Sequence, residues 1–376
     1  MTSHSAHVVP EVTAEVAFMP RTKGYPAPRP PVVDQATTSE LGTIPLTTIS
    51  GDLPPEHSTF TRLRAGVAGA MLAEFFGTFV LLLLGLGTCA VNTVGLPGSG
   101  RQTVPFGPDN WLINIFGWAF AVTLAAYVSG GISGAHFNPA VTLAFAVARK
   151  FDWRNVIPYW VAQIAGAFCG AAAVYAVYRP AIEAHDIGIA RADAMDTYGI
   201  FATSPAQYFH GGYLGPVVDQ LAGTAILVLL IAALIDHRNQ APAGNMTPLL
   251  IGLIIAVIGC SYGTNAGYAL NPAREIGPRA FAWLEGWGKL ALPGDYGQTT
   301  NYWWIPVFMP LLGAVTGILL YDFFIGHVLD ARAAMMRTPE PGLAPVPTTD
   351  AAAGLAGPVT AEDSAEADEL DADRAA

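Results

Sequence analysis

The chain has 376 residues, of which 52% are hydrophobic and only 12% charged, and a formal net charge of −11. A water-soluble domain carries about 25% charged residues, so half that share argues against an ordinary soluble globule and for an apolar solvent. The acidity lies largely in the tail from Ala361 to Asp373, and the three cysteines, Cys89, Cys169 and Cys260, sit singly inside apolar stretches, which speaks against a clustered metal site or a disulfide framework.

In chain order, the first sixty residues are rich in Pro, Ser, Thr and Val, with no basic start leading into an apolar core, so no signal peptide is expected. Residues 1–62 read as a disordered arm with too little apolar surface to order itself. A membrane domain follows at 63–330, and 331–376 read as a disordered acidic tail. A spanning helix needs about 20 mostly apolar residues. Six segments qualify: Ala65 to Val94, Trp111 to Ser129, Val156 to Tyr178, Leu214 to Ile235, Thr247 to Gly263 and Tyr302 to Ile325. Gly166 with Gly170, and Gly313 with Gly317, supply the small-residue spacing that lets helices approach closely. Six spans put both termini on one side. The basic residues Arg62, Arg64, Arg149, Lys150, Arg154, Arg238, Arg332 and Arg337 fall on that side, which predicts cytoplasmic termini.

Two apolar segments, Gly131 to Phe145 and Asn265 to Leu284, are too short to span. Each follows a span and carries glycines, then Asn-Pro-Ala, then a helix-compatible run. Short interrupted segments at matching positions in two halves mark an inverted repeat with its site near the bilayer midplane. The pairing extends to Glu74-Phe75-Phe76-Gly77-Thr78 against Gln220-Leu221-Ala222-Gly223-Thr224. Three spans separate the copies, so the second enters from the opposite face.

Asn is a preferred N-cap, and Pro is favoured at the first helical position. Asn138-Pro139-Ala140 and Asn271-Pro272-Ala273 are therefore two helix starts inside the membrane. Each carries about half a positive charge, and two of them facing one point repel a cation or hydronium. The Asn138 and Asn271 amides are expected to donate to a solute oxygen. The stretches before them, including Ala135, His136, Phe137, Gly267 and Ala269, are expected to be extended, with carbonyls facing the lumen. Arg274, costly inside a membrane, is expected to face that lumen, bind solute hydroxyls and repel cations.

From about Ala65 to Gly326 these residues resemble the aquaporin, or major intrinsic protein, family. The resemblance implies an all-α membrane fold of six spans and two re-entrant half-helices, with a pore in each subunit of a homotetramer. The tails do not match. On the family's filter positions stand Trp118, Gly259, Tyr268 and Arg274. Gly259 replaces the bulky histidine of water-selective members and is expected to open the lumen. Trp118 and Tyr268 would form an apolar corner for a polyol's carbons while Arg274 holds its hydroxyls. This pattern resembles the glycerol facilitators. So do the pair Glu275 and Arg279 after the second triplet and Pro306-Val307 in the last span. Glu74 is expected to accept backbone N–H bonds and fix the first loop, with Gln220 doing part of that task in the second half. The departures are Glu275 for the more usual Asp, Tyr268 for the Phe of bacterial members, Phe137 for Leu, and Gln220 for an acid. The ring of His136 is expected to pack behind the pore.

The resemblance implies a passive channel in the cell membrane for glycerol, urea, metalloid acids or water. No cofactor, metal, nucleic-acid partner or enzymatic activity is expected, since no nucleophile–base constellation or phosphate-binding glycine loop appears. The alternatives are a water-selective aquaporin and an ion-coupled transporter. The latter would need a coupling acid, for which Glu74, together with Asp219, is the best candidate within the spans, and both suit a scaffold role better.

Overall fold

A computed structural model describes residues 59–100 and 111–337, and the regular structure among them is entirely helical. The helices are α1 (Thr59–Ala65), α2 (Val67–Ala90), α3 (Trp111–Ser133), α4 (Pro139–Ala148), α5 (Val156–His185), α6 (Leu214–Ile235), α7 (Thr247–Ser261), α8 (Pro272–Ala282), α9 (Ile305–Tyr321) and α10 (His327–Arg337). Five continuous helical stretches are long and apolar enough to cross a membrane: Val67–Gly98, Trp111–Ser133, Trp153–His185, Leu214–Ile235 and Tyr302–Met336. The remaining expected span, α7, has only 15 residues, or about 22 Å at 1.5 Å per residue, against a bilayer core of about 30 Å. It stops at Ser261, and a four-residue turn at Gly263–Ala266 carries the chain into the second re-entrant stretch.

Contacts follow the repeat. In the first half α2 packs on α3 and α5, and in the second α6 packs on α7 and α9. The half-helices cross over, with α4 against α9 and α8 against α5, while α3 meets α7 between the halves. Large apolar side chains face outward along these helices, among them Phe76, Phe116, Phe120, Val161, Val257 and Leu312. In water that would be a liability; in a bilayer it is the solvated face. The α2–α5 crossing depends on Gly166, where an added Cβ would lie 2.2 Å from the Phe75 carbonyl oxygen. Gly166→Ala is expected to cost about 1–3 kcal/mol as overpacking of a tight crossing. Thermal unfolding of the purified protein in detergent measures it, and an unchanged midpoint would show that the crossing relaxes freely.

The inner edges of the expected tails are ordered as helix. Residues 59–62 belong to α1, and 331–337 belong to α10, which continues the helical run of α9. The last span therefore projects past any bilayer core. Tyr321 and Asp322 in its C-terminal part hold the neighbouring segments: the Tyr321 hydroxyl donates to Asp236 at 2.9 Å, and Asp322 accepts two bonds from Arg149 at 2.9 and 2.6 Å. Arg238, bonded to Asp236 and to Asp330 of α10, holds the Asp236 carboxyl well below the usual carboxylate range. The remainder of the expected arm and tail lies outside the described residues.

Candidate functional site

Each half-helix begins as its sequence dictates. Asn138 is extended, at φ −149°, and its side-chain oxygen accepts the Ala140 N–H at 2.8 Å. Asn271, at φ −147°, accepts from Ala273 and Arg274 at 2.9 and 3.3 Å. Pro139 and Pro272 occupy the first helical positions, where no N–H is required. The two starts meet directly: Asn138 Nδ2 donates to the Leu270 carbonyl at 2.8 Å, and Asn271 Nδ2 donates to the Phe137 carbonyl at 2.9 Å. One of the two N–H bonds of each amide is thus spent between the halves rather than on solute. The Phe137 carbonyl thus accepts one bond from the opposite half.

The stretches before the triplets are not extended. Gly134, Ala135 and Phe137 in the first, and Gly267, Tyr268 and Leu270 in the second, have positive φ. Left-handed conformation costs a non-glycine residue about 1–2 kcal/mol, so these loops must be held. In the first half Glu74 holds them. Its Oε1 accepts from Ser133 Oγ and the His136 N–H at 2.6 and 2.9 Å, and its Oε2 from the Phe137 N–H and Gln163 Nε2 at 2.7 Å each. In the second half Gln220 uses both ends of its amide, donating to the Ala266 carbonyl at 2.9 Å and accepting the Leu270 N–H at 3.2 Å. Ser133 and Gln163 were not singled out from sequence, although a buried Gln in an apolar helix was a visible signal.

These loops line a cavity of about 1180 Å³ that includes Ala135, His136, Phe137, Asn138, Gly267, Tyr268, Ala269, Asn271, Trp118 and Arg274 on its wall. Neither Asp, Glu nor Lys is among the described residues lining it. The His136 ring lies between Phe145, Phe151 and Tyr159, with centroids 4.9–5.2 Å away, and its Nδ1 is 3.1 Å from Thr142 Oγ1.

Arg274 lies over the Trp118 ring, 4.7 Å from its centroid, and donates to the Phe201 carbonyl at 3.0 Å. Its guanidinium also approaches Glu275 at 3.3 Å. Gly259 lies beside Tyr268. It is not among the lining residues, and a Cβ there would meet Ile115 at 3.1 Å and the Tyr268 ring at 3.4–3.5 Å. The Tyr268 ring thus stands at van der Waals distance from the space a side chain at Gly259 would enter. The Gly259 carbonyl accepts from Trp111 Nε1 at 3.1 Å. Glu275 and Arg279 are buried and paired at 2.8 Å. Pro306 and Val307 are buried in the first turn of α9, away from the cavity wall.

A family profile described as Major intrinsic protein matches residues 62–321. The chain is 40% identical over 276 residues to the Glycerol uptake facilitator protein of Escherichia coli, a match covering 72% of this chain and 93% of that protein. It is 39% identical over 280 residues to Aquaporin-10 of Milnesium tardigradum, covering 72% of this chain and 66% of the relative, just under two thirds of its length. Among solved structures, the aquaglyceroporin from Plasmodium falciparum aligns with a TM-score of 0.60 at 30% identity, over 71% of this chain and 100% of that one.

Proposed function

The chain belongs to the major intrinsic protein family, and from that premise we propose that it is a passive channel for glycerol and related small uncharged solutes, water among them. One observation carries the reading. Two helix starts and a single guanidinium face a cavity whose described lining includes no carboxylate and no lysine. Positive helix ends and Arg274 disfavour cations, and the described lining offers a coupling ion no carboxylate. Trp118 and Tyr268 present ring surface to carbon, and Arg274, Asn138 and Asn271 present N–H groups to oxygen. A solute that is apolar on one side and hydroxylated on the other meets both.

Glu74, Gln220, Glu275 and Arg279 support this wall in the proposal, and Gly259 seats Tyr268. The chain would be multi-pass in the cell membrane with both termini cytoplasmic, assemble as a homotetramer and perform no catalysis. Urea and metalloid acids are further candidate cargoes.

The test is stopped-flow light scattering on liposomes holding the purified protein. Glycerol entry is expected to be fast, and indifferent to collapse of proton and sodium gradients. Gradient dependence would establish a coupled transporter, and water flux without glycerol entry a water-selective channel. In Gly259→His the new ring must displace Tyr268 or Ile115. Glycerol permeability is expected to fall by about tenfold or more while water still passes, since a misfit of this size in a shaped site is worth that much.

A further inference from the structure

Behind the filter lies a buried polar network that reaches the cavity wall at Tyr296. Glu275 Oε1 accepts the Thr203 N–H at 3.1 Å and stands 3.3 Å from Arg274 Nη1. Glu275 Oε2 accepts from Arg279 Nη2 at 2.8 Å, and the same nitrogen donates to the Thr203 carbonyl at 3.0 Å. Arg279 Nη1 donates to the Ala291 carbonyl at 3.0 Å and to the Tyr296 hydroxyl at 2.9 Å. Tyr296 also donates to the Thr203 carbonyl at 3.3 Å and lies 3.0 Å from the Tyr198 hydroxyl. Arg279 is 1% exposed and Glu275 0%. Tyr296, by contrast, is on the cavity wall together with Thr203.

We propose that Tyr296 is a positioning residue for the filter arginine, acting through Arg279 and Glu275, and that it sets how strongly the channel prefers glycerol over water. The proposal rests on the channel reading above. The carboxylate of Glu275 is divided between two cations: Arg279 holds one oxygen, and the other is shared by Thr203 and Arg274. While Tyr296 and Ala291 fix one arm of the Arg279 fork, Arg279 stays on Glu275, and Arg274 keeps its bond to Phe201 and its place over Trp118. Without the Tyr296 hydroxyl, that arm retains only the Ala291 carbonyl. Arg279 then loosens, and Glu275 draws Arg274 sideways off the lumen. Glycerol, whose hydroxyls need Arg274, loses its contact; water, which needs only a hole, does not. Tyr296 is well placed to act as a fixed point, because its own N–H bonds the Thr299 carbonyl at 2.8 Å and its ring packs between Tyr198 and Tyr302.

Tyr296→Phe keeps the ring and removes only the hydroxyl. In liposomes the glycerol-to-water permeability ratio is expected to fall about three- to tenfold, the equivalent of one hydrogen bond's net contribution. Thermal stability in detergent reports any purely structural effect, which would lower the unfolding midpoint and leave the ratio alone. A ratio unchanged from the parent overturns the proposal. Should the phenylalanine variant fail to fold, Arg279→Lys decides instead: it keeps a charge on Glu275 but has no second arm for Tyr296, so the same fall in ratio is expected, and an unchanged ratio is again fatal. Failure of the parent protein to pass glycerol would sink the channel reading itself, a result distinguishable from either variant outcome.

Discussion

Glu275→Ala is expected to destabilise the protein by about 3–5 kcal/mol, because it leaves the cation of Arg279 buried without its counter-charge. Arg279 keeps the carbonyls of Ala291 and Thr203 and the Tyr296 hydroxyl as acceptors, but these are dipoles, and a guanidinium 1% exposed has no water to replace the lost carboxylate. The Thr203 N–H loses its acceptor at the same stroke, and Arg274 loses its flanking anion. Replacing both partners with apolar residues should cost less than the sum of the two single changes, since the pair's charges are then removed together. The comparison is a double-mutant cycle on thermal unfolding in detergent, with Glu275→Ala, Arg279→Leu and the pair. A double variant as unstable as the sum of the singles would mean that the two side chains act independently and that the buried pair is not the origin of the effect.

Glu74→Ala is expected to lose roughly 4 kcal/mol or more, since each buried donor left without a partner costs about 1–3 kcal/mol. Four donors converge on this carboxylate, two of them backbone N–H groups in a loop whose neighbouring residues Ala135 and Phe137 are left-handed. With the anchor gone, the His136 and Phe137 N–H groups lose their acceptor, the loop keeps only weaker ties such as the Asn271 bond to the Phe137 carbonyl, and the lumen wall is expected to move. The expected result is a sharp loss of monodisperse protein in detergent and loss of glycerol flux from whatever folds. Retention of both would show that Ser133 and Gln163 hold the loop unaided. The two halves make the chemistry clear. Glu74 faces donors only, so an acid is right there. Gln220 faces one carbonyl and one N–H, from Ala266 and Leu270, so an amide satisfies both where a carboxylate would repel the first.

How much of this is legible in the chain depends on the range of the interaction. Apolar length is a local property, and so is the Asn-Pro pair, which caps and starts a helix using its own atoms; the starts at Pro139 and Pro272 and the span Leu214–Ile235 fall where composition places them. Termini of helices are less local. α7 is shorter than its apolar run because the chain must turn at Tyr262 to bring Leu270 to Asn138 of the other half, and α5 runs to His185, where Asp186 caps it and accepts from Thr197. The pairing of each asparagine amide with the opposite half's carbonyl joins atoms more than 130 positions apart, at separations of 132 and 134. No spacing rule reads such a contact.

What the sequence by itself determined was the solvent, the number of repeats, the two helix starts and the residues with the chemistry to face a neutral solute, because hydrophobic length and capping act over a few neighbouring residues. What only the tertiary structure decided was the set of partners: Tyr268 standing beside Gly259, Phe201 and Trp118 holding Arg274, and Tyr296 reaching Glu275 through Arg279. Those contacts join connecting loops to a half-helix, and a loop residue acquires its role from what the folded spans bring beside it, not from the residues next to it in the chain.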